Sequence, residues 1–338
     1  MSARSGLLGC ALRGLLVALG AAGALATAEG AMRLVGAEEP ELNPLVAPVL
    51  AERGIANDDA LAEQARRAAE RWKVTLVLDP EIGARPVLGD EFYSAHGTVV
   101  NDYPFERRAG VARLLFLGDS VTRRGHLIDA LRVLHPGDDV EWWNAGVEGF
   151  GTRQEALYYA RFNRALEPDH IVLTVHNNDL LPTPVVFFDE RGRLVVFRAG
   201  GATMRPNELL LRHSRLYRRW LRTRAASGDG GALAREVATA LAQLSEFARE
   251  DGARLSAILL PVLAPEETWT QEQRDSRATM LALLADAGVE TFDLLEPLRD
   301  ALRDGIDPCE TPGDVAHPSP AVCAVFARDL VERGLLSR

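Results

Sequence analysis

Ser120 closes the stretch Leu114-Leu115-Phe116-Leu117-Gly118-Asp119-Ser120, an apolar run that stops on a glycine, an acid and a serine. Such a run reads as a buried strand of a parallel sheet, and α/β folds build their sites at the carboxyl ends of those strands. Ser120 is therefore expected at the mouth of a crevice. A serine hydroxyl attacks a carbonyl only if a base takes its proton, and the base must itself be oriented, typically by a carboxylate. Asp314-Val315-Ala316-His317 supplies both groups. The three-residue separation lets the carboxylate reach the imidazole Nδ1–H within one turn of loop and leaves Nε2 for Ser120. Pro312-Gly313 before the segment and Pro318-Ser319-Pro320 after it keep it out of regular structure. A lone histidine, one of seven here, otherwise reads as a surface or satisfied core residue. The developing oxyanion needs preorganised donors. The N–H of Ser120, the N–H of Gly149 and the side-chain amide of Asn178 are available in principle. Gly146 or Gly151 are alternatives to Gly149, and Asn178 taken alone reads as a turn residue after a strand.

Four stretches recur in a suggestive order: Gly118-Asp119-Ser120-Val121, Asn144-Ala145-Gly146-Val147-Glu148-Gly149, His176-Asn177-Asn178-Asp179 and Asp314-Val315-Ala316-His317. Together they resemble the four blocks of the SGNH (GDSL-like) serine hydrolase superfamily, in its membrane-anchored or exported bacterial form, over roughly the last two thirds of the chain. The resemblance implies Ser120 as nucleophile, His317 as base, Asp314 as its orienting acid, and Ser120, Gly149 and Asn178 as the oxyanion hole. It also implies a three-layer αβα fold with a five-stranded parallel, flavodoxin-like sheet. The implied activity is removal of O-acyl groups, acetyl first, from envelope or extracellular glycans or related esters through an acyl-enzyme. O-acyl transfer by the same three residues is the chemical alternative. A catalytically idle glycan-binding envelope protein is another; its sign would be degraded blocks, and all five site residues are present. Two positions depart from the family pattern: Val121 stands where the name motif has leucine, and His176 where the third block usually has glycine. Asp119 and Asp179 read as acceptors that fix loops, and His176 as scaffold.

Other chemistries lack their residues. There is no C-x-x-C, H-E-x-x-H, EF-hand loop, G-x-G-x-x-G or Walker-type lysine loop, so neither a metal nor a cofactor is expected. With 48 acids against 38 bases the formal charge is −10, and no basic stripe is interleaved with aromatics, which argues against nucleic acid as a partner. The densest positive charge, Arg212 to Arg224, alternates with Leu211, Leu216, Tyr217, Trp220 and Leu221 at helical spacing and reads as an amphipathic helix with a solvated basic face.

The elements that must position these residues alternate. Strands are predicted at about Arg113–Leu117, Val140–Asn144, His170–Val175, Leu255–Leu260 and Val289–Phe292. Helices are predicted over His126–Leu134, from the capping-box pattern Thr152-Arg153-Gln154-Glu155, over Leu233–Glu250, over Gln271–Ala287, and from the cap and N1 proline Ser319-Pro320. The main domain is placed at 111–338, with an insertion at about 180–231 that holds a hairpin and the Arg-rich helix and is a candidate lid or substrate wall. Residues 36–110 read as a linker, a helix over Asp58–Trp72, a strand over Lys73–Leu78 and a loop-rich lead-in.

Residues 1–35 read as a membrane anchor or a signal peptide. Arg4 and Arg13 precede the uncharged run Gly14 to Ala28, and Leu7 to Leu12 extends it; Glu29 and Arg33 follow. The anchor is preferred because proteins resembling this one carry an N-terminal helix ending in a Glu and Arg pair; cleavage after Ala28 and secretion is the alternative. Either way the catalytic part is expected in the periplasm or outside the cell. In that setting Cys309 and Cys323, which bracket Asp314 and His317, could form a disulfide; the alternative is a free loop thiol and a small buried helix residue.

Overall fold

The computed structural model describes residues 20, 23–34, 76–79, 81–180, 184–188, 194–198, 207–226 and 230–337. The expected helix over Asp58–Trp72 lies outside them, as does most of the apolar segment at residues 1–22. Among the described residues no helix is long and apolar enough to cross a membrane.

A short antiparallel hairpin, β1 (Leu76–Asp79) and β2 (Gly83–Pro86), precedes the main sheet. The chain then runs β3 (Ala112–Gly118), α1 (Ser120–Arg124), α2 (His126–Leu134), β4 (Val140–Gly146), α3 (Thr152–Tyr158) and β5 (His170–Val175). The insertion follows as the hairpin β6 (Pro184–Phe188) and β7 (Leu194–Arg198), then α4 (Glu208–His213) and α5 (Arg215–Ala226). The domain closes with α6 (Gly230–Asp251), β8 (Arg254–Leu259), α7 (Gln271–Asp286), β9 (Glu290–Asp293), α8 (Leu295–Arg303) and α9 (Pro320–Glu332).

Five strands form one all-parallel sheet in the order β4-β3-β5-β8-β9. This is the flavodoxin-like order, in which the chain steps to one side of its first strand and then to the other. Side chains alternate across β3. Leu114 and Phe116 pack with Ile128, Leu131, Leu298, Phe326 and Leu330, from α2, α8 and α9, and with Phe292 of β9. Leu115 and Leu117 face Ala156, Leu241, Leu244 and Leu284, from α3, α6 and α7. The result is the expected three layers, held by two apolar cores.

Several expectations are corrected. The Arg-rich segment is two helices, broken at the extended Ser214. Helix α8 was absent from the sequence reading. Thr152 is no cap: Gly151 precedes α3, and the Thr152 hydroxyl donates to Asp179 instead. The capping box occurs at Thr270 and Gln273, ahead of α7. Cys309 and Cys323 are not bridged. Cys309 Sγ donates to the Leu263 carbonyl, and Cys323 is sealed in the core under α9. The lead-in packs against the domain: Val99 N–H bonds the Asn144 carbonyl, Gln154 the Ile82 carbonyl and Asn163 the His96 carbonyl.

The amino end of the sheet rests on a buried ion pair. Arg113 on β3 and Glu141 on β4 meet at 2.8 Å with almost no exposure. Arg113 also donates to the carbonyls of Leu166 and Phe105, and Glu141 accepts from Trp143 Nε1 and Arg108. Removing one partner strands the other charge away from water. Glu141→Ala is expected to cost about 3–5 kcal/mol of stability, read as a lowered urea midpoint with unchanged slope.

Candidate active site

Ser120 is the first residue of α1, directly beyond the carboxyl end of β3. Asp119 caps that helix by accepting from the Val121 N–H at 2.9 Å. The turn from strand to helix is tight because β4 comes close to it. A Cβ on Gly146 would lie 2.3 Å from the Arg123 nitrogen and 2.7 Å from the Thr122 carbonyl carbon, both backbone. Glycine is thus required where β4 passes under the helix that carries the serine. Tyr93, fully buried in the lead-in, donates to the Gly146 carbonyl at 2.7 Å and supports it from below.

His317 arrives from the far end of the chain. Its Nε2 stands 2.8 Å from Ser120 Oγ and its Nδ1 2.7 Å from Asp314 Oδ2. Partial burial pushes the Asp314 carboxyl up, but hydrogen bonds from the His317 ring and the Ala316 N–H outweigh it and hold the group below the usual carboxylate range. An ionised carboxylate can only accept, so the ring proton belongs on Nδ1 and Nε2 is left to accept from the serine hydroxyl. The loop is fixed along its length. Glu310 N–H bonds the His317 carbonyl, Leu263 N–H the Val315 carbonyl, and Ser319 N–H the Pro308 carbonyl. The Glu310 side chain pairs with Arg124 at the end of α1, and His126 Nε2 lies 3.8 Å from it.

Gly149 sits in the loop between β4 and α3 with φ of 74°, a left-handed conformation that favours glycine. The Val147 N–H bonds the Gly118 carbonyl, which ties this loop to the end of β3. Asn178 lies in the 3₁₀ turn Asn177–Leu180 after β5, and its side chain is outside the described part of the structure. Asp179 joins the two loops. It accepts from the His176 N–H at 2.6 Å and from the Thr152 N–H and hydroxyl at 2.8 and 2.7 Å. Burial pushes its carboxyl up to about 7 against those three bonds.

Further buried groups lie beneath the crevice. Neither carboxyl oxygen of Glu155 nor Nε2 of His176 has a hydrogen-bond partner among the described residues. Burial, followed by the charges of Asp179 and Asp119, raises the Glu155 carboxyl well above its ordinary value and favours its neutral form. Burial lowers His176, so no second cation competes beside His317. Glu148 is pushed to about 7 by burial, with Arg123 at 3.9 Å opposing the shift. Gly146, an alternative to Gly149 in the sequence analysis, instead holds β4 close to α1. Tyr93 and Glu310 escaped the sequence reading, and no local signal marks them. Among the described residues no group of three or more His, Cys, Asp or Glu could hold a metal ion.

No family model matches the chain, and no curated protein matches it in sequence. Among solved structures it is similar to an acetyl xylan esterase, at 15% identity over 65% of this chain and 98% of that one, with a TM-score of 0.43. An acetylxylan esterase from Geobacillus stearothermophilus is similar at 13% identity over 67% and 95%, TM-score 0.44. An alpha/beta hydrolase enzyme from the metagenome of Lake Arreo, Spain, is similar at 18% over 68% and 99%, TM-score 0.44. The fold assignment rests on the sheet order, and the site on its own geometry.

Two outcomes follow from this geometry. Gly146→Ala must push α1 away from β4, and a shift of that kind at Ser120 is expected to cost about 10²-fold in turnover of any substrate the serine attacks, measured beside the melting temperature. The second concerns Glu148, which ionises near 4.5 when unfolded and about 7 when folded. The folded state therefore binds the extra proton between those values, and stability falls as pH rises through that window. Glu148→Gln is expected to flatten this fall, seen in denaturation midpoints at pH 4.5 and 7.

Proposed function

We propose that the chain is a serine esterase of the SGNH type. The observation that carries the reading is the unbroken hydrogen-bond chain from Ser120 through His317 to Asp314 at the carboxyl end of β3. Ser120 Oγ attacks the ester carbonyl while His317 Nε2 takes its proton, and Asp314 stabilises the imidazolium. The negative charge that forms on the carbonyl oxygen is received by the expected donors, the N–H groups of Ser120 and Gly149 and the Asn178 amide. Collapse breaks the bond to the alcohol, which leaves with the proton from His317. Water then repeats the attack on the acyl-enzyme, giving His317 its proton and releasing the carboxylic acid. Every step uses one base and one proton, which suits a site with a single histidine within hydrogen-bond distance of the serine.

O-acyl groups on envelope or extracellular glycans, acetyl first, are the substrate class we assign, from the resemblance of the four blocks and the expected export. The N-terminal segment is assigned as a membrane anchor that leaves the catalytic domain in the periplasm or outside the cell.

Mass spectrometry after exposure to a fluorophosphonate is expected to find one adduct, on Ser120. Ser120→Ala should lose the adduct and roughly 10⁶-fold of turnover on p-nitrophenyl acetate, and Asp314→Asn about 10⁴-fold, both with the fold intact. Acetate released to water supports the esterase; acetyl moved onto an added oligosaccharide turns the assignment to acyl transfer. Full activity in Ser120→Ala discards it.

A further inference from the structure

The N-terminal helical residues and the insertion are far apart in sequence, yet two side chains join them. Glu29, in the helical residues 23–34, accepts hydrogen bonds from the N–H groups of Arg215 and Leu216 and from the Ser214 hydroxyl, each at 2.9 Å. Arg33, one turn on, steadies that carboxylate at 3.1 Å and donates to the His213 carbonyl at 2.6 Å. The first turn of a helix has N–H groups with no partner inside it. In α5 two of them go to Glu29 and the next, on Tyr217, goes to Ser214 Oγ at 3.1 Å. The positive end of α5 is therefore capped by a carboxylate from 186 residues away.

The capped element has the composition of an interfacial helix. Residues 205–224 carry seven arginines, at 205, 212, 215, 218, 219, 222 and 224, against the single acid Glu208, in a chain of net charge −10. Large apolar side chains stand out from the same pair of helices: Leu209 is 67% exposed, Leu210 44% and Trp220 45%. Trp220 stacks on Tyr217, and Arg218 braces α5 to α4 through the Leu211 carbonyl. Arginine beside exposed leucine and tryptophan, in a molecule otherwise acidic, matches a surface that is apolar at depth and anionic at its face.

The geometry points to an anionic phospholipid surface as the partner of α4 and α5, with Trp220, Leu209 and Leu210 entering it and Arg215 and Arg219 meeting its phosphates. This rests on the anchor reading above. Glu29 directly follows the uncharged run Gly14 to Ala28, so the carboxylate that caps α5 lies within one side chain of where that run ends. The clasp thereby sets α5 at the depth of the headgroups. It makes the Arg-rich helix part of the membrane attachment, where composition alone reads it as a solvated face.

The test reconstitutes the full chain into vesicles of phosphatidylcholine with and without phosphatidylglycerol, the acyl chains brominated, and reads tryptophan fluorescence beside flotation. The difference between the natural chain and Trp220→Phe isolates Trp220 from the other four tryptophans. Expected are flotation, quenching that Trp220→Phe largely removes, and stronger quenching with phosphatidylglycerol. Glu29→Ala is expected to weaken that quenching while the protein still floats. Flotation with quenching that Trp220→Phe leaves unchanged overturns the proposal and spares the anchor. Equal quenching in pure phosphatidylcholine overturns the anionic partner. Failure to float overturns the anchor and the proposal together.

Discussion

A parallel sheet whose second strand lies on one side of the first and whose third lies on the other must open a gap at its carboxyl end. The loops leaving β3 and β5 part there and cannot cover each other. Ser120 stands at that gap because β3 ends at Gly118 and α1 begins two residues later. The rest of the site is brought to it: Gly149 from the loop after β4, the third block from the end of β5, and His317 from the loop ahead of α9. The gap is usable only because Gly146 lets β4 pass within backbone contact of α1. A larger residue there would lift the serine away from a histidine held independently by the Glu310, Leu263 and Ser319 hydrogen bonds.

Burial also decides the protonation pattern around Ser120, His317 and Asp314. Four acids, Asp119, Glu148, Glu155 and Asp179, lie buried near one another at this end of the sheet. Four unscreened carboxylates would repel strongly in such a place. Burial and mutual repulsion shift Glu148, Glu155 and Asp179 toward the neutral form, and His176 is shifted the same way. Asp314 is the contrast. It is partly open to water, takes hydrogen bonds from the His317 ring and the Ala316 N–H, and keeps its charge. Its hydrogen bonds favour the ionised form, where burial of Glu148, Glu155 and Asp179 favours the neutral one.

The layout of the sheet was readable because its strands are apolar runs and its helices amphipathic: His126–Leu134 and His170–Val175 fall where their patterns place them. Helix α8 was missed because it begins two residues after β9 ends, with no side-chain cap from Leu294, and carries Pro297 in its first turn. Thr152 matched a capping box, yet tertiary context overrode the local pattern, since the buried Asp179 carboxyl accepts from both its N–H and its hydroxyl. Ser120, Asp314 and His317 could be named from residue type and spacing, and the structure brings them within hydrogen-bond distance. Tyr93 and Glu310 could not, because their partners, the Gly146 carbonyl and Arg124, are distant in sequence and leave no mark beside them. The same holds for Glu29, whose sequence neighbours suggest only the end of a helix.

The two ends of the sheet handle polar groups in opposite ways. At the amino end, Arg113 and Glu141 are sealed from water, and their charges are met by each other, by carbonyls and by Trp143 and Arg108. At the carboxyl end, among the described residues, Thr122 Oγ1, Arg123 Nε, Glu148 Oε2, both oxygens of Glu155 and His176 Nε2 are buried with no protein hydrogen-bond partner. An opening at the switch point cannot be filled with the chain's own side chains, so polar groups beneath it are left to meet water or a ligand.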